Sequence, residues 1–256
     1  MGTDYTSKNR AIEKTLKQKE LFSSTSAPWQ QNVLESLLSQ VRFKDGSICL
    51  DAACGIGNNI ETLLKYFQNI IAFDKSTKAI EFAKERQHKY KSVIVPFTVG
   101  SLESMPYANN FFDCIVCTEA LEHVSDYNAA IKEIFRVAKS GGYVVLSFQN
   151  HFNFSALLKF FFEKAYKKNW DVWGTHRHEE GYENYLTCFQ IKKSIKKAGF
   201  ISIKEFGADY INAWFSWTPF LYKNYKILDH YPMLPLGKMP ILKYIGMDYF
   251  LLLKKP

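Results

Sequence analysis

The sequence has little that would place it outside the cell or across a membrane. It holds five cysteines in 256 residues, an odd number with no regular spacing. No disulfide framework is legible, and reduced thiols in a cytoplasmic setting are expected. No apolar run approaches the roughly eighteen residues that a membrane-spanning helix requires. The stretch from Ser155 to Phe162 is broken by Lys159, and Tyr249 to Leu253 is five residues long. The amino terminus, MGTDYTSKNR, is polar and no apolar core follows it, so it does not read as a secretory signal. Neither a repeat nor a low-complexity linker interrupts the chain. At 47% hydrophobic and 23% charged residues, the composition excludes a disordered chain.

Lys and Arg outnumber Asp and Glu by 33 to 25, a net charge of +8. That balance is compatible with nucleic acid, anionic lipid or an acidic small substrate, and selects none of them. The excess lies partly in clusters: Lys164, Lys167 and Lys168, then Lys192, Lys193, Lys196 and Lys197. In IKKSIKKAGF the second cluster alternates with Ile191, Ile195 and Ala198 at helical spacing, the pattern of an amphipathic surface helix.

The first 43 residues predict a helical extension, with Pro28 opening a helix that carries Val33, Leu34, Leu37, Leu38 and Val41 on one face. From Lys44 onward short apolar strands alternate with helices. Strands are predicted at 47–52, 69–74, 92–99, 112–120 and 141–148, and helices at 57–67, 76–90 and 126–139. This alternation implies βαβ units and a mostly parallel sheet covered on both faces. Pro96 would confine the third strand to an edge or a bulge. Beyond Asn150, an aromatic-rich helix from Phe152, a loop to Leu186, the Lys-rich helix and strands at 200–206 and 247–255 complete the domain, 44–256. Between those last strands, Tyr210 to Tyr231 holds eight aromatics in 22 residues.

The segment Asp51-Ala52-Ala53-Cys54-Gly55-Ile56-Gly57 falls at the first strand-to-helix turn, where glycines let a ligand approach unpaired N–H groups. It fails the dinucleotide pattern, because Ile60 stands where a third glycine belongs. Asp51 would oppose a pyrophosphate and suits a cationic ligand instead. Asp74 ends the second strand, 23 residues on, where an acid can bind a ribose diol. S-adenosylmethionine, with an ammonium, a sulfonium and no phosphate, meets both requirements.

These residues resemble the class I S-adenosylmethionine-dependent methyltransferases from about Lys44 to the end. LDAACGIG resembles the family's first motif, with Ala53 where many members have glycine. IIAFDKSTKAIEFAKER is similar to its acidic second-strand motif, and GSLESMPYANNFFDCIVCTEALEHVSD to its adenine-loop and fourth-strand motifs. IKEIFRVAKSGGYVVLSFQN resembles the helix and fifth strand, with Ser140 replacing the usual proline. The resemblance implies a Rossmann-like seven-stranded sheet. It also implies cofactor contacts from Asp51, Ala53, Gly55, Gly57, Asp74, Lys75, Ser101, Leu102 and Glu119, with Ser101 in place of the adenine-loop acid.

Glu119-Ala120-Leu121-Glu122-His123 resembles a stretch of the ubiquinone-biosynthetic O-methyltransferases, as does Gly174-Thr175-His176. The likeness implies methylation of oxygen on a small-molecule, glycan or lipid acceptor. Three roles stand open for the Glu119–His123 stretch: a magnesium or zinc site of Glu119, Glu122 and His123, a metal-free base in His123, or a pocket wall. His151, His176 and His178 are weaker candidates for substrate contact. Nucleic-acid methylation is disfavoured, because Thr118-Glu119-Ala120-Leu121 stands where base-methylating enzymes carry an Asn/Asp-Pro-Pro-aromatic motif, and no Pro-Cys dipeptide exists. A non-catalytic cofactor-binding subunit is the other alternative. Trp214, Phe215, Trp217 and Phe220, beside Lys223 and Lys226, read as a lid, a homodimer contact or a dock on a membrane surface.

Overall fold

The apolar runs become strands because each buries residues on both sides. The structure is a computed structural model and describes residues 28–87, 93–153, 184–208 and 238–256. In chain order the elements are α1 (Pro28–Leu38), β1 (Ile48–Ala52), α2 (Ile60–Leu63), β2 (Asn69–Asp74), α3 (Thr77–Arg86), β3 (Phe97–Val99), β4 (Phe112–Cys117), α4 (Tyr127–Val137), β5 (Ala138–Gln149), α5 (Cys188–Ala198), β6 (Ile201–Ala208) and β7 (Asp248–Lys254). Single 3-10 turns lie at Leu121–His123 and Leu242–Ile245. The seven strands form one sheet in the order β3-β2-β1-β4-β5-β7-β6. Only β7 runs antiparallel to its neighbours, so the Rossmann-like, mostly parallel expectation holds.

Successive strand residues feed two separate cores, as pleating requires. Leu50, Ile115, Cys117 and Leu146 pack with α4 and α5 on one face. Cys49, Cys114, Val116 and Val145 pack with α1, α2 and Ile80 and Ala83 of α3 on the other. Cys114 and Cys117 therefore face opposite ways, and Cys-x-x-Cys here is core. Val33, Leu34, Leu37 and Leu38 of α1 are buried in the second cluster, so this helix shares the domain's core.

Caps fix several helix starts. The Ser76 hydroxyl accepts from the Ala79 N–H, and Asp126 accepts from Asn128 and Ala129. Thr187 and Gln190 form a reciprocal capping box on α5. Ile191 and Ile195 are buried there, as the stripe predicts. Several boundaries differ from expectation. The helix expected from 57 begins at Ile60, because Cys54–Asn59 forms turns. The strand expected from 92 begins only after Pro96, and β3 is indeed an edge. β5 starts at Ala138, before the Gly141-Gly142 turn, and absorbs that turn as a register shift against β4. A Cβ at Gly142 would lie 2.8 Å from the Lys139 carbonyl oxygen, so only glycine fits.

Candidate functional site

Order reversal on either side of β1 leaves a crevice at the carboxyl ends of β1 and β4, where ligands of such sheets bind. The expected site residues gather along that edge: Asp51 to Gly57 after β1, Asp74 and Lys75 after β2, Ser101 and Leu102 after β3, Glu119 to His123 after β4 and His151 after β5.

The glycine loop is folded as a cradle. Ala53, Gly55 and Gly57 all have positive φ, at 56°, 53° and 78°. The Cys54 N–H donates to the Phe73 carbonyl at 2.9 Å, and the Gly55 N–H donates to Asp74 Oδ2 at 2.9 Å. Asp74 Oδ1 accepts from the Ser76 N–H at 2.8 Å. One acid thus joins the first loop to the start of α3.

Asp51 lies beneath this loop, fully buried. Its Oδ1 accepts from Asn59 Nδ2 at 3.0 Å, while Oδ2 has no hydrogen-bond partner among the described residues. Burial pushes its carboxyl from the ordinary range up to about 7, with the Asn59 bond opposing and the Asp74 charge adding. A buried carboxylate oxygen without a donor is what a cationic ligand would satisfy. The residues present therefore fit S-adenosylmethionine: an orphaned acid and left-handed glycines with open space about Gly55.

Sequence reasoning missed the support for Asp51. Asn59 Nδ2 also donates to Thr118 Oγ1 at 3.0 Å, and Gln31 of α1 donates to Asn59 Oδ1 at 3.3 Å. Nothing in the local pattern singles out Asn59 or Gln31. Their roles arise from side chains 28 residues apart.

After β4 the strand ends at Cys117, earlier than the expected residue 120. Glu119 adopts φ 51°, an uncommon conformation for a residue with a Cβ. Ser147 of β5 holds it: the Glu119 N–H donates to the Ser147 carbonyl at 3.1 Å, and Ser147 Oγ donates to Glu119 Oε1 at 2.7 Å. Glu122 is fully buried in the 3-10 turn, and His123, at its end, is half-buried. Lys75 reaches across from β2, its Nζ donating to the His123 carbonyl at 3.0 Å. That contact makes Lys75 a strut between loops.

Among the described residues no group of three His, Cys, Asp or Glu side chains could hold a metal ion. Of the suggested set of Glu119, Glu122 and His123, Glu119 accepts from Ser147 Oγ and Glu122 is fully buried. Ser101 is exposed and accepts from the Glu103 N–H through Oγ, whereas Leu102 is buried in the core. Asn150 is buried, its Nδ2 within 2.9 Å of the carbonyls of Phe152, Tyr244 and Gly246, so it ties loops together. The half-buried His151 stands edge-on to Tyr185, ring centroids 4.9 Å apart. Gly174 to His178 and the aromatic segment with Trp214, Phe215, Trp217 and Phe220 lie outside the described residues.

Comparison with known proteins agrees with this geometry. Residues 50–146 match the family described as a methyltransferase domain. Over 207 residues the chain is 25% identical to an uncharacterised protein of Methanocaldococcus jannaschii, covering 75% of this chain and 76% of that one. It is 30% identical over 151 residues to the ubiquinone/menaquinone biosynthesis C-methyltransferase of Coxiella burnetii, covering 52% of this chain and 60% of that enzyme. Among solved structures the cyclase SpnF superposes with a TM-score of 0.60 at 20% identity, covering 88% of this chain and 80% of its own, a likeness of fold.

Proposed function

Because the chain belongs to the class I S-adenosylmethionine-dependent methyltransferase family, we propose that it methylates an acidic hydroxyl compound, on the oxygen or on the carbon that shares its charge after deprotonation. Acceptors of this kind include phenols and enols, free or attached to a glycan or lipid. The observation that carries the cofactor assignment is the buried, donorless Oδ2 of Asp51 beneath a left-handed glycine loop.

S-adenosylmethionine, when bound, supplies an electrophilic methyl group on a sulfonium leaving group. The protein's tasks are to orient the acceptor in line and to take up its proton. Asp51 and the Gly55–Gly57 backbone would hold the methionine end, Asp74 the ribose, and Ser101 and Leu102 the adenine side. Acceptor entry is assigned to the loops after β4 and β5. There His123 and His151 are half-buried imidazoles, each able to accept a hydroxyl proton. Deprotonation creates charge shared between the oxygen and the ortho carbon of a phenol or the α-carbon of an enol, so one base serves both outcomes. Which atom is methylated depends on which one faces the sulfonium carbon. The likeness to ubiquinone-pathway sequences favours oxygen, and the Coxiella burnetii relative is named as a C-methyltransferase.

The test is calorimetry with S-adenosylmethionine, followed by product analysis with carbon-13-labelled methyl donor on phenolic and enolic acceptors. Binding together with an O-methyl or C-methyl resonance supports the reading. Failure to bind the cofactor overturns it.

A further inference from the structure

We propose that a patch of exposed aromatic and aliphatic side chains ringed by lysines, at the α5 end of the site's edge, docks this protein on an anionic membrane surface.

The patch is built where three pieces of chain meet. Asn150 binds the carbonyls of Tyr244 and Gly246 through Nδ2, and through Oδ1 accepts from the Cys188 N–H at 3.0 Å. The end of β5, the start of α5 and the 3-10 turn at Leu242–Ile245 are thereby gathered beside the crevice. Phe152 stands edge-on to Phe189 at 5.2 Å, Phe189 stacks on Tyr244 at 5.7 Å, and Tyr244 stacks on the buried Tyr249 at 6.2 Å. The outer members face water: Phe189 is 53% exposed, and Ile241, three residues before Tyr244, is 78% exposed. An aromatic ladder rooted in the core and ending in solvent, with Met239 also exposed nearby in sequence, is an apolar surface that calls for a partner.

Charge selects the partner. Residues 184–198 and 238–247 contain six lysines and not one Asp or Glu. Lys192 and Lys243 sit over the Tyr244 ring at 5.1 and 4.8 Å. Both also pair with Glu205, at 2.6 and 2.7 Å, which leaves this cluster cationic. Lys193 and Lys238 are exposed. A second copy of the chain meeting this face would set lysines against lysines, which disfavours a symmetric dimer through it. Rings at headgroup depth with lysines reaching anionic lipid satisfy both halves of the surface. The site's mouth lies on the same edge, so a docked membrane would border the acceptor's entrance.

The experiment is co-sedimentation of the full chain with vesicles of phosphatidylcholine alone and of equal parts phosphatidylcholine and phosphatidylserine. Binding is expected only to the anionic vesicles, with release as salt rises from about 0.1 M to about 1 M. Lys193→Gln and Lys238→Gln should each lower the partition constant about fivefold. The double variant Phe189→Ser, Ile241→Ser should lower it at least as much. S-adenosylmethionine affinity, measured on the same samples, should stay unchanged and confirm that the variants fold. No binding to anionic vesicles, equal binding to neutral ones, or full binding by the variants would overturn the proposal. A wild type that binds vesicles but not the cofactor would overturn the transferase reading and leave this one standing.

Discussion

Asp74 Oδ2 accepts the Gly55 N–H over 2.9 Å, so the acid that ends β2 fastens the glycine loop that follows β1. Its Oδ1 is engaged by the Ser76 N–H as well. Replacement by alanine therefore removes a proposed ribose contact and a loop anchor together. Asp74→Ala should weaken S-adenosylmethionine binding by about 1–3 kcal/mol, and Asp74→Asn, which keeps one acceptor, by less. Calorimetry on the two variants measures both values. Equal affinity for wild type and the alanine variant would refute the placement.

Asp51 couples cofactor binding and stability in opposite directions. Its folded carboxyl titrates at about 7 against an ordinary 3.8, chiefly through burial. Between about pH 4 and pH 7 the folded protein keeps a proton that the unfolded chain has released, so this group's contribution to stability falls as pH rises through that window. Above pH 7 the buried charge costs up to about 4 kcal/mol. Asp51→Asn is expected to raise the denaturation midpoint of the ligand-free protein at pH 8, with the gain shrinking toward pH 4. The same variant should lose cofactor affinity, and wild-type affinity should rise as pH passes about 7. Denaturation and calorimetry across pH 5–9 read both trends.

The strands were legible because burial on both faces leaves continuous apolar runs, and the Asp51 to Gly57 turn because glycines and acids punctuate it. What stayed hidden is long-range. Ser147 is an ordinary hydroxyl within a strand pattern, yet it clamps Glu119 from 28 residues away. Asn59 and Gln31 brace Asp51 with no periodic signal, and nothing in the sequence shows that Lys75 reaches the His123 carbonyl. The strand expected to run to residue 120 ends at Cys117, and a 3-10 turn follows at Leu121–His123. The family resemblance left three roles open for the Glu119–His123 stretch, and sequence adjacency does not show that Ser147 engages Glu119 or that Glu122 is fully buried.

Proton removal separates the two imidazoles. If His123 takes the acceptor's proton, His123→Ala should lower turnover by about 10²–10⁴-fold while cofactor affinity stays near wild type. If His123 acts as a metal-free base, a chelator should leave the rate unchanged; loss of activity restored by magnesium or zinc would mean that a metal assists instead. Steady-state kinetics with both substrates checks this. A full effect in His151→Ala, with none in His123→Ala, would move the base to the β5 loop.

The glycine loop holds one residue whose backbone disagrees with its side chain. Ala53 sits at φ 56°, where an L-residue is disfavoured by roughly 1–2 kcal/mol relative to the right-handed region. The loop cannot relax locally, because the next residue's N–H is tied to the Phe73 carbonyl and the Gly55 N–H to Asp74. Glycine at this position removes the strain but adds unfolded-state freedom of about 0.4–1 kcal/mol. The strain is the larger quantity, so Ala53→Gly should stabilise the protein by up to about 1 kcal/mol. That corresponds to roughly 2–4 °C in Tm for a chain of this size. Gly55→Ala provides the mirror test: its φ is 53°, and a Cβ there meets nothing within 4 Å, so any loss is purely of backbone origin. Thermal denaturation should show the first variant above wild type and the second below it. Both moving downward would mean that the loop does not hold Ala53 in the left-handed conformation.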